Sequence, residues 1–296
     1  MKPAPFRHHA PLTLDEAIAT LSEVGHDGKV LAGGQSLIPV LNMRLAQPAH
    51  LVDINRVAAL DTVTITDTHV RVGATVRHAV LQKHDEAYAV LPVLRQALRN
   101  VAHPAIRNRG TTVGSIAHAD AAGEMPSIAV LTDAVMEIAG PRGRREVAAA
   151  DFFEGPLQTV LEADELLEAV RFGRFGASTR TAFLESARRH GDYALAGVGV
   201  AVDLDGQGRD AVVRRARAAY VSVTDIPVVI DLTEAVAGQS ISSLTAGPSA
   251  LEAVEELVQA GIAPEADIHA TSEYRRMLAA ELTRRALTLA TTEEDA

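Results

Sequence analysis

The stretch KVLAGGQSLIPVL, residues 29–41, decides how the first part of the chain folds. An apolar run ends in Gly33 and Gly34, and a polar pair separates it from a second apolar run. This order predicts a strand, a tight turn and a helix, because glycine allows backbone conformations that other residues avoid and adds no side chain. The unpaired N–H groups of such a turn attract phosphate. A glycine pair alone is more often a plain structural turn, so a phosphate site needs a second observation.

Length and composition limit the classes of protein to consider. A chain of 296 residues with 47% hydrophobic residues predicts a globular protein of two domains. The absence of Cys excludes disulfides, thiolate zinc sites and iron–sulfur clusters held by this chain. The net charge of −10 argues against a nucleic-acid binder. No apolar run is long enough for a membrane span, and the N-terminus lacks the apolar core of a signal peptide, so we expect a cytoplasmic protein.

The hydrophobic periodicity predicts many short elements and a change of character near residue 175. Strands are predicted at 28–32, 51–54, 63–66, 69–72, 134–139, 165–172, 181–188, 194–203, 212–223 and 228–232. Helices are predicted at 14–24, 36–45, 75–83, 90–99, 124–132, 248–260 and 270–290. We therefore predict an α+β protein with a first domain at 1–175, made of lobes at about 1–56 and 57–175, and a second domain at 176–296. The polar tail, 291–296, is predicted to fray.

A second glycine-containing stretch lies at residues 101–120, VAHPAIRNRGTTVGSIAHAD. It lacks helical or strand periodicity, and its length and small residues predict a functional loop. Thr111 and Ser115 add hydroxyl donors beside Gly110 and Gly114, which suits a phosphate group. Glu124 follows as either a plain helix-dipole acid or an acceptor for sugar or ribityl hydroxyls, and the residue type alone does not decide between them.

Other chemistry-bearing residues give weaker signals. His103, His118 and His190 match no metal-ligand spacing, so no metal site is predicted. Arg107 and Arg109 are either surface charges, neutralisers of a diphosphate, or residues that hold a loop. The sequence has no G-x-S-x-G elbow and no nucleophile–base pair, so no catalytic residue is predicted.

A third stretch, RRHGDYA at residues 188–194, lies at a predicted strand-to-strand corner. Its Tyr193 is either an ordinary half-buried aromatic or a ring that covers a planar cofactor. Aromatic residues make up only 3% of the chain, which makes an aromatic beside a glycine more informative than usual.

Together, the three stretches resemble the FAD-binding medium subunit of the molybdenum hydroxylases, a family that includes aerobic carbon monoxide dehydrogenase, nicotine dehydrogenase and the flavin region of xanthine dehydrogenase. The first motif is LAGGQSLIP at 31–39, with NMRLA at 42–46 and LVDIN at 51–55. The second is IRNRGT at 106–111, continued by GSIAHAD at 114–120, and the third is GDYA at 191–194. The resemblance covers about residues 1–290.

The resemblance implies a two-lobed FAD-binding domain of the vanillyl-alcohol-oxidase type, followed by a C-terminal α+β domain. It places the FAD diphosphate against both glycine stretches, the cofactor hydroxyls near Glu124 and the isoalloxazine near Tyr193. The cofactor-binding residues implied in this way are Leu31, Ala32, Gly33, Gly34, Gln35, Ser36, Leu37, Ala102, Ile106, Gly110, Thr111, Gly114, Ser115, Ala117, Glu124, Leu167 and Tyr193.

The resemblance also implies an electron-transfer role in a larger complex. In the family, a large subunit carries the molybdopterin cofactor, a small subunit carries two [2Fe–2S] clusters, and the medium subunit carries FAD. We expect a heterotrimer, dimerised, in which this chain passes electrons from the clusters to a terminal acceptor. Two alternatives stay open, a free-standing FAD-dependent oxidoreductase and a flavin-free scaffold subunit. Val113 and Glu185 favour the scaffold, because relatives commonly have Gly and Lys there. The substrate and the acceptor are not encoded in this chain.

Overall fold

The computed structural model describes residues 2–246 and 248–292, and their contacts divide the chain into two compact units. The first unit comprises Met1–His84, His103–Ala119 and Asp133–Gly173. The second unit comprises Asp85–Ala102, Asp120–Thr132 and Arg174–Ala296. Two stretches that precede residue 175 thus group with the C-terminal part of the chain, and the predicted border between domains stays a prediction.

The first unit begins with a small parallel sheet. Its elements are β1 (Arg7–His9), α1 (Leu14–Val24), β2 (Gly28–Leu31), α2 (Leu37–Asn42) and β3 (His50–Asp53). The strand order is β1-β3-β2, and both pairs are parallel. The predicted α1 is confirmed, with Thr13 as N-cap and Gly25 at a φ of 52° after its last turn. The helix predicted at 36–45 is shorter, because Arg44 has a φ of 59° that a helix does not allow.

An antiparallel sheet follows in the same unit. Its strands are β4 (Val63–Ile65), β5 (His69–Gly73), β6 (Val135–Gly140), β7 (Gly143–Ala148) and β10 (Leu166–Gly173). They lie in the order β4-β5-β10-β6-β7, and a separate hairpin joins β8 (Phe153–Gly155) to β9 (Gln158–Thr159). The sheet buries Val70, Val72, Met136, Ile138 and Phe172. In β5, the buried Val70 and Val72 alternate with partly exposed residues, as in a strand that has one face on the core.

The stretch 101–120 is where the predicted secondary structure was wrong. The irregular loop expected there contains two short helices, α6 (Pro104–Arg107) and α7 (Thr112–His118), preceded in the same unit by α3 (His78–Gln82). Pro104 occupies the first turn of α6, where its missing N–H costs nothing, and Thr111 caps α7. Helices this short have too few turns for an apolar periodicity to show in the sequence.

The second unit is an antiparallel sheet between helices. Its strands are β11 (Thr179–Ala187), β12 (Ala194–Asp205), β13 (Val212–Val221) and β14 (Val229–Asp231), in that spatial order. Its helices are α4 (Asp85–Val90), α5 (Pro92–Leu98), α8 (Glu124–Leu131), α9 (Thr233–Val236), α10 (Ile241–Ala246), α11 (Pro248–Gly261) and α12 (Ser272–Thr292). The predicted strands and long helices are confirmed, whereas the short helices α4, α9 and α10 were not predicted. Most of the predicted frayed tail lies outside the described residues.

The two faces of this sheet are covered differently. The even-numbered residues of β12, from Ala196 to Leu204, join the buried cluster that includes α11 and α12. On the opposite face, an added Cβ at Gly199 would meet Leu131 and Ile128 of α8 at 3.1 and 3.3 Å. Glycine at this position therefore lets α8, whose first residue is Glu124, lie close to the sheet.

Candidate cofactor site

The first glycine turn leaves β2 and enters α2 as the sequence predicts. Gly33 is buried, whereas Gly34 is partly exposed and has a φ of 74° that glycine accepts without strain. The N–H of Ile38 donates to the carbonyl of Gly34 and closes the turn. Within the described part of the chain, the backbone N–H groups of residues 33–36 donate to no protein acceptor. Unpaired donors in successive peptides of a turn are a concave site for an anion.

The second glycine turn is held by His78. Its N–H donates to the carbonyl of Gly110 at 2.9 Å, and its Nδ1 lies 3.1 Å from the hydroxyl of Thr112. Burial, together with the charge of Arg107, lowers the pKa of His78 to about 4, so the imidazole is neutral at neutral pH. The hydroxyl of Thr111 accepts from the N–H of Gly114 at 3.1 Å. His78 thus belongs to the support of this turn, a role that the sequence did not reveal.

The two turns touch each other. A Cβ added to Gly33 would lie 2.6 Å from the carbonyl oxygen of Arg109 and 2.7 Å from the Cα of Gly110. A Cβ on Gly114 would clash with the Thr111 hydroxyl at 2.4 Å and would lie 3.7 Å from the Cβ of Ala32. The contact is made by backbone atoms, so a side chain at Gly33 would force the turns apart. The structure therefore brings together the two stretches that the sequence singled out separately.

A cavity of about 610 Å³ opens beside the first turn. Its walls combine apolar side chains with amides, one carboxylate and one guanidinium, and its volume is in the range of small-molecule sites. The lining residues are Leu31, Ala32, Gly33, Gly34, Gln35, Ile38, Pro39, Asn42, Asp53, Asn55, Ile106 and Arg109. Of the predicted site residues, those from Leu31 to Gln35 and Ile106 line this cavity.

The donor set fits the diphosphate of a dinucleotide such as FAD. The free N–H groups lie on the turn that lines the cavity, and the exposed Arg109 adds a positive charge to the wall. Ser36, Leu37, Gly114, Ser115 and Ala117 are partly exposed on the same two stretches, so they stay accessible to a ligand. Leu167 is buried at 4% exposure in β10.

The remaining predicted residues belong to the second unit. Glu124 is the first residue of α8, and Ala102 has a φ of 42° before α6 begins. Tyr193 is 67% exposed, directly before β12. Partial burial of the phenol and the carboxylates of Asp120 and Glu124 raise the pKa of Tyr193, so the hydroxyl stays protonated at neutral pH. The unit therefore presents a neutral phenol beside two acids.

The buried Arg275 supports both the segment of Tyr193 and the segment of Glu124. Arg275 of α12 donates to the carbonyl oxygens of Leu195 and Ser222, at 2.6 and 3.1 Å. The N–H of Ser222 in turn donates to the carbonyl of Ala121 at 2.9 Å. Arg275 therefore links the strand that follows Tyr193 to the loop that precedes Glu124. The sequence gave no signal for this role, because the residue is far away along the chain.

The departures from the family pattern have clear structural settings. Val113 is 1% exposed in α7, so its side chain fills the core and does not narrow the glycine turn. Glu185 lies on β11, and its Oε2 is buried without a hydrogen-bond partner in the described chain. Burial raises the pKa of Glu185 to about 7. Arg107 is buried and donates to Gln82 at 3.1 Å, which excludes a plain surface charge and agrees with a loop-holding role.

Asp53 and Asn55 lie in the LVDIN motif but were not predicted as cofactor-site residues, and Arg77 was not singled out at all. Asp53 accepts from the N–H and the Nδ2 of Asn55, at 3.0 and 2.6 Å, and Asn55 donates to the carbonyl of Ala32 at 2.7 Å. Burial alone would raise the pKa of Asp53, but the bonds from Asn55 and His8 lower it overall. The Asp-x-Asn spacing that forms this local turn was a usable signal. Arg77 was not recognisable, because the hydrogen bonds of its side chain are made to residues far along the chain.

The described residues contain neither a membrane-spanning helix nor a cluster of metal-binding side chains. In residues 2–246 and 248–292 there is no helix long and apolar enough to cross a membrane. The same residues contain no group of three or more His, Asp or Glu side chains that could hold a metal ion.

Comparison with known proteins identifies the family. Residues 4–174 match the model of the FAD binding domain in molybdopterin dehydrogenase, and residues 181–290 match the CO dehydrogenase flavoprotein C-terminal domain. The chain is 37% identical to the nicotine 6-hydroxylase medium subunit of Paenarthrobacter nicotinovorans, over 97% of this chain and 98% of that one. It is 34% identical to the carbon monoxide dehydrogenase medium chain of Hydrogenophaga pseudoflava, over 98% of both.

Solved structures agree with this result. A carbon monoxide dehydrogenase structure from Hydrogenophaga pseudoflava superposes with a TM-score of 0.90 at 34% identity, over 98% of both chains. Quinoline 2-oxidoreductase from Pseudomonas putida 86 gives 0.88 at 35% identity, over the same shares. The predicted family, the mixed helix-and-strand fold and the FAD cofactor are thereby confirmed. The chain belongs to the FAD-binding subunits of the molybdenum hydroxylases, which are components of oxidoreductase complexes.

Proposed function

We propose that this chain is the electron-transfer subunit of a molybdenum hydroxylase complex and that its two glycine turns bind the diphosphate of FAD. The observation that carries the proposal is the pair of turns in backbone contact, with the N–H groups of residues 33–36 unpaired within the described chain. Such donors are aligned for phosphate oxygens before the ligand arrives, so little ordering is needed on binding.

Each predicted residue then has a role in binding or orienting the cofactor. Residues 32–37 would donate backbone N–H groups to the diphosphate, and Thr111, Gly114 and Ser115 would contact it from the second turn. Arg109 would offset part of its negative charge, since this exposed arginine is one of the residues that line the cavity. Glu124 would accept hydrogen bonds from ribityl hydroxyls, and Tyr193 would lie against the isoalloxazine.

The bound FAD supplies the redox chemistry, accepting electrons and releasing them to a terminal acceptor. The chain itself binds, orients and shields the cofactor. The sequence contains no Cys, so the [2Fe–2S] clusters that deliver the electrons belong to another subunit. The neutral phenol of Tyr193 fits contact with a planar ring better than a phenolate would, because it adds no charge beside Asp120 and Glu124.

The partners in this proposal are a large molybdopterin subunit and a small iron–sulfur subunit, assembled as a dimer of heterotrimers in the cytoplasm. The relatives are named medium subunit and medium chain, which supports a complex of several chains. Co-expression of the genes that neighbour this one, followed by purification through a tag on this chain, tests the assembly. Recovery of this chain alone, with a flavin that a substrate reduces directly, would instead support a free-standing oxidoreductase.

Cofactor selectivity tests the diphosphate clamp directly. The full chain is purified, stripped of flavin and titrated with FAD, FMN and ADP, with quenching of flavin fluorescence and calorimetry as readouts. We expect one FAD per chain, measurable binding of ADP, and FMN binding weaker by at least about 100-fold, because FMN lacks the diphosphate. Equal affinity for FAD and FMN would contradict the clamp, and a chain that binds no flavin would support the scaffold alternative.

A further inference from the structure

We propose that Arg77 is a positioning residue that, together with Asn55, sets the spacing and orientation of the two glycine turns. The inference rests on the proposed diphosphate clamp and adds the side chains that hold the clamp in place. Neither residue is among the predicted cofactor ligands. Both lie in the first unit, in the segments that follow β3 and β5.

Arg77 joins the two turns through one guanidinium group. Its Nη1 donates to the carbonyl oxygen of Arg109, which belongs to the second turn. Its Nη2 donates to the Oδ1 of Asn55 at 2.5 Å. The planar fork of an arginine fixes the angle between two such bonds, which a lysine does not. The position of Asn55 is therefore tied to the backbone of residue 109.

Asn55 carries the link on to the first turn. Its Nδ2 donates to the carbonyl oxygen of Ala32 at 2.7 Å, while Asp53 accepts from that same Nδ2 and from the N–H of Asn55. The Asp53 carboxylate thus prevents the amide of Asn55 from rotating. One carbonyl from each turn, that of Ala32 and that of Arg109, is consequently held by the Asn55–Arg77 pair.

Holding these two carbonyls also sets the direction of the N–H groups that would bind the diphosphate. In a trans peptide the C=O and the N–H of the next residue point in opposite directions. The bond from Asn55 to the Ala32 carbonyl therefore fixes the direction of the Gly33 N–H, which donates to no acceptor in the described residues. The Arg109 carbonyl is the atom that a Cβ at Gly33 would meet at 2.6 Å. Arg77 thus satisfies the carbonyl on which Gly33 packs.

The electrostatic setting separates a positioning role from a simple charge effect. Arg77 is half-buried, and burial followed by the like charge of Arg109 lowers its pKa, whereas Asp61 and Asp53 raise it. A guanidinium nevertheless stays charged at all relevant pH values. Arg77→Lys keeps the positive charge but cannot make both bonds in the same geometry. Arg77→Met removes the charge and both bonds.

The test measures cofactor affinity in the full chain. Wild type, Arg77→Lys, Arg77→Met and Asn55→Ala are stripped of flavin, and the Kd values for FAD and ADP are measured by fluorescence quenching and calorimetry. Arg142→Met is the control, because Arg142 is an exposed arginine of the same unit that pairs with Asp164 at 2.9 Å. Circular dichroism and urea unfolding of each apo variant separate lost affinity from lost folding.

We expect Arg77→Lys, Arg77→Met and Asn55→Ala each to raise the Kd by about tenfold or more. The factor should be similar for FAD and for ADP. The double variant Arg77→Lys/Asn55→Ala should bind no more weakly than the weaker single variant, because both changes break the same link. Arg142→Met should bind as wild type does. If Arg77→Met does not fold, Asn55→Ala tests the same link, since its side chain is exposed.

Three results would overturn the inference. Wild-type affinity in Arg77→Lys with weak binding in Arg77→Met would show that only the charge matters. Wild-type affinity in all three single variants would show that the turns hold their spacing without the link. A wild-type chain that binds neither FAD nor ADP would overturn the proposed function itself, which distinguishes that failure from the other two.

Discussion

The glycine turns of the first unit and the Tyr193 segment of the second unit are held by different means. In the first unit, backbone packs on backbone, and a Cβ at Gly33 would lie within 3 Å of atoms from three successive residues of the other turn. In the second unit, Tyr193 is 67% exposed. The support of its segment comes from the guanidinium of Arg275, which donates to the carbonyl of Leu195, two residues after Tyr193. A rigid backbone suits the tight binding of a diphosphate. An exposed ring directly before a supported strand suits adjustment to a flavin.

This difference predicts that affinity resides in the first unit, and Gly33→Val is the strongest test. The added side chain would force the Arg109 carbonyl and the Gly110 Cα away from the first turn. We expect FAD affinity to fall by about 100-fold or more, while ADP affinity falls in parallel. Fluorescence titration of the apo chain measures the FAD affinity, and calorimetry measures the ADP affinity. Gly155→Ala is the control, because the nearest atom to its added Cβ is 3.5 Å away.

Arg275→Met tests the support of the second unit and should chiefly affect stability. Arg275 is 6% exposed, and its removal leaves the carbonyls of Leu195 and Ser222 without their charged donor. We expect the free energy of unfolding to fall by about 3 kcal/mol, measured by urea denaturation. Arg284→Met is the matched control on α12, since Arg284 pairs with Glu281 at a partly exposed position. A large loss of ADP affinity would contradict the assignment of the diphosphate to the first unit.

Glu185→Gln tests a pH dependence that has its origin in the second unit. Burial raises the pKa of Glu185 from 4.5 to about 7, so the folded chain holds this proton more tightly than the unfolded chain does. Stability therefore falls as pH rises from about 4.5 through about 7, and Gln removes that loss. We expect the free energy of unfolding of Glu185→Gln to exceed that of wild type by about 1–3 kcal/mol at pH 8 and by little at pH 4.

Glu281→Gln is the control for that measurement, and its expected dependence of stability on pH has the opposite sign. Bonds from Arg284 lead the causes that lower the pKa of Glu281 to about 2, although burial opposes them. The Glu281 carboxylate therefore contributes to the free energy of unfolding above about pH 4.5, and this contribution is lost as pH falls toward 2. Glu281→Gln should thus lose stability relative to wild type at pH 7, and the difference should shrink toward pH 2. If the stability of Glu185→Gln changed with pH in parallel with that of wild type, this result would contradict a Glu185 carboxyl whose Oε2 is buried without a hydrogen-bond partner among the described residues.

The sequence predicted the parts of the site that depend on local patterns. Gly33, Gly110 and Gly114 stood out because glycine marks turns and close approaches that leave no room for a side chain, and the family motifs placed them in order. Arg77, His78 and Arg275 did not stand out, since each acts through carbonyls or hydroxyls far along the chain. The short helices α6 and α7 were missed for a related reason, because their caps and contacts, more than an apolar period, determine them.

Tyr193→Ala should give the smallest effect on affinity and the clearest effect on the flavin environment. Contact between an aromatic ring and the isoalloxazine contributes about 0.5–1.5 kcal/mol, so FAD affinity should fall by less than about tenfold. Quenching of the bound flavin by iodide should rise, because the ring no longer shields it from solvent. ADP affinity should not change. Tyr274→Ala, at an exposed tyrosine of α12, is the control. If Tyr193→Ala weakened FAD as strongly as Gly33→Val does, affinity would be shared between the units, and the contrast between a rigid diphosphate site and an adjustable flavin contact would fail.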